Sequence, residues 1–269
     1  MTDLEYEERV RSQVRLRYGE AARQRSGSCC CGPADGGSSC CGGGDVNAAV
    51  KLGYSLDEVA AVPDGAEMSL GCGNPGAIAA LQPGEVVLDL GSGGGFDCFL
   101  AARRVGETGR VIGVDMTPEM LSRARANAAA GGFANVEFRL GEIEHLPVAD
   151  GEVDVIISNC VINLSPDKRA VLSEAYRALR PGGRLAISDI VATAPLPESV
   201  RQDPALWSAC ISGATSINEL AALLDDAGFM SIRIAPKDES RDLIREWAPG
   251  SRAEEYIVSA MIEAVKPAT

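Results

Sequence analysis

The sequence predicts an α/β protein: a doubly wound, mostly parallel sheet with helices on both faces. Three observations carry that expectation. Glu85-Val-Val-Leu-Asp-Leu-Gly-Ser-Gly-Gly-Gly-Phe-Asp97 reads as a buried strand (Val86, Val87, Leu88, Leu90) that enters a glycine turn and then a helix. In that turn Gly91, Gly93 and Gly95 let the backbone bend sharply and approach a ligand, because no Cβ intervenes. Val111-Ile-Gly-Val-Asp115 is a second apolar strand, ending in a carboxylate 24 residues after Gly91. An acid at that distance sits at the tip of the second strand and accepts hydrogen bonds from ribose hydroxyls. From residue 85 onward, strand and helix signals alternate, as crossover-connected parallel strands require.

In chain order, residues 2–24 pattern as a helix with Val10, Val14, Tyr18 and Ala21 on one face and a possible capping box from Thr2 and Glu5. Such a helix either covers the cofactor or packs on the sheet, and packing on the sheet is the expectation. Residues 26–45 hold seven glycines and five cysteines (Cys29, Cys30, Cys31, Cys40, Cys41) and cannot build a packed core. Short helices are expected at 55–61 and 75–81, on either side of Gly71-Cys72-Gly-Asn-Pro75, which exposes backbone and thiol. Thr117 and Pro118 open a helix that Gly131 and Gly132 end. Strands follow at 136–140 and 153–160, then a helix capped by Ser165-Pro166 running to Arg180, and a strand at 184–191. Residues 193–215, with Pro195, Pro197 and Pro204, break the alternation and read as an insertion over the substrate. Ser216 and Glu219 cap a helix to Ala227, and strands are expected at 230–234 and 256–265. The chain thus divides into a cover at 1–84, a cofactor-binding core at 85–192, and a substrate-binding addition at 193–269.

The chain has 269 residues, is 46% hydrophobic and carries a net charge of −13. The acidic balance argues against nucleic acid, whose phosphates it would repel. Low aromatic content (4%) offers no stacking platform for bases or sugars. With no 18-residue apolar run and no signal peptide at the N-terminus, a soluble, cytoplasmic protein with no membrane contact is expected, as a monomer. Nine cysteines stand beside a single histidine, His145, which reads as a solvated loop residue. In that compartment, metal binding or redox chemistry is favoured over a disulfide framework. The adjacent cysteines of 29–41 do not match the spacing of common zinc knuckles, so a mobile collector of thiol-seeking elements fits them better.

The turn Asp89-Leu-Gly91-Ser92-Gly93-Gly-Gly95 places an acid before the first glycine and lacks the third glycine of the dinucleotide fingerprint. It resembles the first motif of class I S-adenosylmethionine-dependent methyltransferases, which are Rossmann-like. The resemblance implies that Asp89 fixes the turn and the methionine moiety. It also implies that Glu142 and Ile143, in the Gly141–Pro147 loop, contact the adenine. Met116, beside Asp115, and Asn159, at the tip of the 153–160 strand, are assigned to the same cofactor site. The Leu179-Arg-Pro-Gly-Gly183 turn is common in the class as well.

Strand C-terminal ends face the cofactor in open α/β sheets. Cys160 ends a strand, Cys210 lies in the insertion above that rim, and Cys72 lies in the segment before the first strand, so the three are expected to converge over the sulfonium methyl. Cys98, on the helix after the glycine turn, reads as structural. Gly71-Cys72-Gly-Asn-Pro, Ser158-Asn-Cys160-Val-Ile-Asn, and Trp207 followed by Cys210 and Gly213-Ala214 resemble the three cysteine motifs of the arsenite S-adenosylmethionine methyltransferases. The similarity spans roughly residues 5–235.

That resemblance implies arsenic detoxification by stepwise methylation. Arsenite or methylarsenite is held as a thiolate complex, and an upstream cysteine pairs with Cys72 during turnover. Cys41, 31 residues before Cys72, is the best-spaced candidate and Cys40 the next, with Cys29, Cys30 and Cys31 also open. Trivalent arsenic is soft and prefers thiolates, and its lone pair attacks a methyl carbon without a general base. Lowered thiol pKa values are expected to aid capture, and glutathione or thioredoxin to reopen any disulfide. Two rival readings remain: a class I methyltransferase acting on oxygen, nitrogen or carbon, for which no general base is evident, and a thiol-rich sequestration protein for arsenic or zinc, which would leave the cofactor motifs idle.

Overall fold

The structure is a computed structural model and describes residues 3–24, 46–68, 70–201, 203–247 and 250–269. The expected capping by Thr2 and the cysteines at 29, 30, 31, 40 and 41 lie outside the described residues.

The chain forms α1 (Asp3–Gln24), α2 (Val46–Lys51), α3 (Leu56–Ala60) and α4 (Gly76–Ala79) before the sheet begins. It continues through β1 (Val86–Leu90), α5 (Phe96–Val105), β2 (Arg110–Asp115), α6 (Pro118–Gly131), β3 (Val136–Leu140) and β4 (Val153–Asn159). Then come α7 (Lys168–Ala178), β5 (Leu179–Ala192), α8 (Glu198–Arg201), α9 (Pro204–Trp207), β6 (Thr215–Ser216) and α10 (Ile217–Asp226). The described chain closes with β7 (Met230–Lys237), α11 (Ser240–Trp247) and β8 (Ile257–Val265). The sheet has eight strands in the order β3-β2-β1-β4-β5-β8-β7, with β6 paired to the end of β5. Strands β1 to β5 pair with one another in parallel, whereas β8 runs antiparallel to both β5 and β7. This is a Rossmann-like, doubly wound α/β sheet, as the sequence predicts.

Alternation along the strands sorts the core into two faces. Leu88, Leu90, Ile112, Val114 and Ile156 pack with α7 and α10. Val87, Val111, Val155 and Ile157 pack with Phe99, Ala102 and Val105 of α5 and Leu121 of α6. Because β1 lies between β2 and β4, the direction of winding reverses there and the loops after β1 and β4 diverge, leaving a crevice at their C-terminal ends.

Three local differences from the sequence reading have physical causes. Helix α7 is capped by Asp167, whose carboxylate accepts from Ala170 N, while Ser165 turns its hydroxyl to Glu144. Strand β5 begins five residues before its expected start, because Leu179 already pairs with Val153 before the Pro181-Gly182 turn. Helix α1 does not pack on the sheet. It lies over the crevice, with Val14 and Tyr18 lining it and Arg11, Arg15 and Arg23 paired with Glu144, Glu142 and Glu119. No helix of the described residues is long and apolar enough to cross a membrane.

Candidate active site

The crevice spans about 1110 Å³, open solvent included. Of the residues singled out in the sequence, Asp89, Gly91, Ser92, Gly93, Asp115, Met116, Ile143, Asn159 and Cys160 line it. Gly95, Glu142, Cys72 and Cys210 do not. Gly95 N-caps α5 at φ 93°, and a Cβ there would meet Phe99 at 2.7 Å. Glu142 is paired with Arg15 and Arg11 of α1. Glu144, two residues on, faces the crevice instead.

The glycine turn is built to receive something. Gly91 and Gly93 have φ of 71° and 50°, which side chains disfavour, and a Cβ on Gly93 would meet nothing within 4 Å. Asp115 accepts from Gly93 N at 3.0 Å and from Thr117 N at 2.8 Å, which ties the tip of β2 to the turn. The Ser92 hydroxyl is buried and has no hydrogen-bond partner among the described residues, a cost that a ligand donor or acceptor in the crevice would remove.

Buried Asp89 and half-buried Asp97 and Asp115 crowd this end of the crevice. Asp89 is held well above the usual carboxylate range by burial and by the charge of Asp97. Burial pushes Asp97 up to about 6, against hydrogen bonds from Tyr54 and Asn159, and it raises Asp115 as well. Desolvated acids of one sign favour a cationic ligand, which restores their charged forms. An amino group and a sulfonium, the charges of S-adenosylmethionine, fit this environment. Cys98 is buried as expected, and its thiol donates to Asp89 at 3.1 Å, so its structural role is to support the turn acid.

Tyr54 and Asp97 were not singled out in the sequence. Tyr54 donates to Asp97 at 2.7 Å, and the Asn159 amide lies 3.0 Å from Tyr54 and 3.2 Å from Asp97. The same Asn159 side chain accepts from Cys72 N at 2.9 Å and donates to Gly73 O at 2.7 Å. One side chain thus joins the cofactor crevice to the Cys72 loop.

The three cysteines converge. Cys72 and Cys160 form a disulfide with a Cα–Cα distance of 5.8 Å, and the Cys210 thiol donates to Cys160 O at 2.8 Å. In this state Cys72 is therefore bonded to Cys160 and not to an upstream cysteine. Cys160 and Cys210 both adopt the left-handed region, at φ 57° and 62°. Such backbone costs about 1–3 kcal/mol per residue and persists only where surrounding contacts over-determine it.

Those contacts come from several segments. Cys160 N donates to Ser188 O at 2.8 Å, and Asp189 accepts from Ile162 N and from the Asn163 amide, each at 2.9 Å. Trp207 donates its indole N–H to Leu164 O at 3.3 Å. A Cβ on Gly213 would lie 2.1 Å from Asn163 O, so only glycine lets the Cys210 loop seat against the Cys160 loop. Ser259, on β8, donates to Cys72 O at 2.8 Å.

The Cys210 thiol is not poised as a thiolate. Burial, and then the charge of Asp189, push it well above its usual range, contrary to the lowered value expected for capture. Asp189 is itself pushed up to about 6 by burial, and Lys168 is the cation that opposes this.

Comparison with known proteins agrees with the geometry. Residues 81–228 match the model of a methyltransferase domain. The chain is 55% identical over 267 residues to an arsenite methyltransferase of Halobacterium salinarum, covering 97% of this chain and 68% of that one. It is 50% identical over 171 residues to one from Aquipseudomonas alcaligenes, covering 61% of this chain and 49% of that one. A solved arsenic (III) S-adenosylmethionine methyltransferase from Chlamydomonas reinhardtii superposes with a TM-score of 0.62 at 38% identity, covering 82% of this chain and 73% of that one. The methyltransferase-domain match over more than half of the chain and the 55% identity along nearly all of it place the protein in the arsenite methyltransferase family.

Proposed function

We propose that this protein transfers methyl groups from S-adenosylmethionine to trivalent arsenic held by Cys72, Cys160 and Cys210. The observation that carries the reading is the meeting of these three sulfur-bearing loops, from distant parts of the chain, at the rim of the crevice. Arsenite reacts with three thiols to give a trithiolate and three waters, so each thiol proton leaves with an arsenic hydroxyl. A raised thiol pKa is no obstacle to that exchange, because no free thiolate needs to accumulate.

The cofactor supplies an electrophilic methyl on a sulfonium, and the arsenic lone pair needs no base to take it. In this reading Gly91, Ser92, Gly93, Asp89 and Asp97 hold the cofactor's methionine end, while Asp115 holds its ribose and Ile143 its adenine. The remaining work is positioning, for which proximity and orientation can supply about 7–11 kcal/mol. Each transfer formally takes arsenic to the pentavalent state. Two thiols closing to a disulfide return two electrons, and Cys72 with Cys160 stands in reach to do so. Cys72 with Cys41 or a neighbouring upstream cysteine is the other pairing, and glutathione or thioredoxin reopens the bond.

The test is an incubation of reduced protein with arsenite, S-adenosylmethionine and a thiol reductant, followed by separation of arsenic species. Mono- and dimethylated arsenic from the wild type, absent with Cys160→Ser and Cys210→Ser, is the expected result. Arsenic bound without methylation would favour sequestration.

A further inference from the structure

Beside the two sulfurs of Cys72 and Cys160 stands a donor that arsenic does not need. One carboxylate oxygen of Asp189 and the two sulfurs lie within 4.8 Å of one another, and all three residues are buried. Asp189 accepts from Ile162 N, from the Asn163 amide and from Ile190 N. We infer that the reduced Cys72–Cys160 pair and Asp189 form a binding site for a divalent thiophilic cation of the Zn²⁺ type.

Chemistry and charge both fit. Two thiolates and a carboxylate are a zinc donor set, with a fourth position left for water. At about 2.3 Å for Zn–S and 2.1 Å for Zn–O, tetrahedral donors lie roughly 3.5–3.8 Å apart, inside the 4.8 Å that holds the three ligand atoms. Binding releases the two thiol protons to the buffer. Two thiolates and one carboxylate then balance Zn²⁺ and the neighbouring Lys168 ammonium, whose pKa burial lowers and the charge of Asp189 holds up. The site exists only in the reduced protein. A phosphine opens the disulfide by taking up the oxygen of one water as phosphine oxide, and the water's two protons go to the sulfurs.

Pyramidal trivalent arsenic is satisfied by sulfur alone, whereas a tetrahedral divalent cation recruits the carboxylate. Asp189 is therefore the residue that separates the two. That zinc and arsenite exclude each other rests on the function proposed above; zinc binding itself does not.

The experiment uses the full chain with Cys29, Cys30, Cys31, Cys40 and Cys41 changed to serine, reduced by a phosphine under anaerobic conditions. Zn²⁺ affinity is read by competition with a chromophoric chelator, and Co²⁺ serves as the spectroscopic probe. One Zn²⁺ per chain is expected, with thiolate-to-cobalt charge-transfer bands that Cys72→Ser weakens. Asp189→Asn should lower Zn²⁺ affinity at least about tenfold, while S-adenosylmethionine binding by calorimetry certifies the fold. No Zn²⁺ bound by the reduced parent chain, or an unchanged affinity in a folded Asp189→Asn, overturns the inference. If Asp189→Asn fails to fold, full Zn²⁺ affinity in Cys72→Ser does so instead. Zinc binding in a protein that does not methylate arsenite would leave this inference standing and remove only the proposed function.

Discussion

The cofactor end of the crevice and its cysteine rim are built in different ways. The cofactor end is local: a strand, a glycine turn and a helix start within 85–97, closed by Asp115 through two backbone N–H groups. The rim is assembled from afar. Cys72 is held by Asn159 and Ser259, Cys160 by Ser188 and the Asp189–Asn163 pair, and Cys210 by Trp207 and the close seat of Gly213. A site made by one turn tolerates change elsewhere. A site made by many distant ties is altered at any of them, including ties on β8, far along the chain from every cysteine.

This contrast predicts separable phenotypes. The largest effect is expected at the rim itself: Cys160→Ser or Cys210→Ser should cost at least about a hundredfold in arsenic methylation, the scale of a misplaced reactant. Calorimetric affinity for S-adenosylmethionine should change little. Gly213→Ala comes next, because its Cβ would meet a backbone oxygen that cannot step aside. Thermal unfolding should show a loss of about 1–3 kcal/mol, the range of overpacking, together with a fall in methylation. Wild-type behaviour in Gly213→Ala would break the claim that the two cysteine loops are seated on each other.

At the cofactor end the expected signature is a pH profile. Asp97 is pushed up to about 6 by burial, so below that pH the free protein holds it protonated. A cationic ligand favours the ionised form, so binding near pH 6 releases a proton and affinity rises with pH through that range. Asp97→Asn should bind more weakly and with a shallower pH dependence, read by titration calorimetry at several pH values. A smaller change is expected for Ser259→Ala, which removes one hydrogen bond to Cys72 O worth about 0.5–1.5 kcal/mol. It should slow methylation several-fold and leave cofactor affinity intact. Smallest is Arg15→Ala, whose pairing with Glu142 is partly solvent-exposed and worth about 0–1 kcal/mol.

The same contrast explains what was legible in the sequence. Strand β3 falls on its expected residues, and β1, β2 and β4 do so closely, because short apolar runs bounded by turn residues declare themselves. The glycine turn and Asp115 were readable for the same reason. Asp189 carried a signal that could have been used: like Asp115, it is an acid near the end of an apolar strand. Asp97 stands two residues past Gly95 and could have been weighed with it. Tyr54 and Ser259 carried none, since a lone hydroxyl has no periodicity and its partner is set only by the tertiary fold. Helix α11 carries no motif in the sequence; tertiary packing places it, with Ile244 fully buried and Trp247 beside it. The position of α1 was missed because an amphipathic face specifies that something apolar is covered, and not which surface it is.

The most direct test of the central claim is arsenic-edge X-ray absorption on the reduced full chain loaded with one arsenite, with Cys29, Cys30, Cys31, Cys40 and Cys41 changed to serine. Three sulfur neighbours around arsenic, falling to two in Cys210→Ser, is the predicted result. Arsenic that keeps oxygen neighbours in the parent chain, or is unaffected by Cys210→Ser, would contradict a shared three-cysteine site.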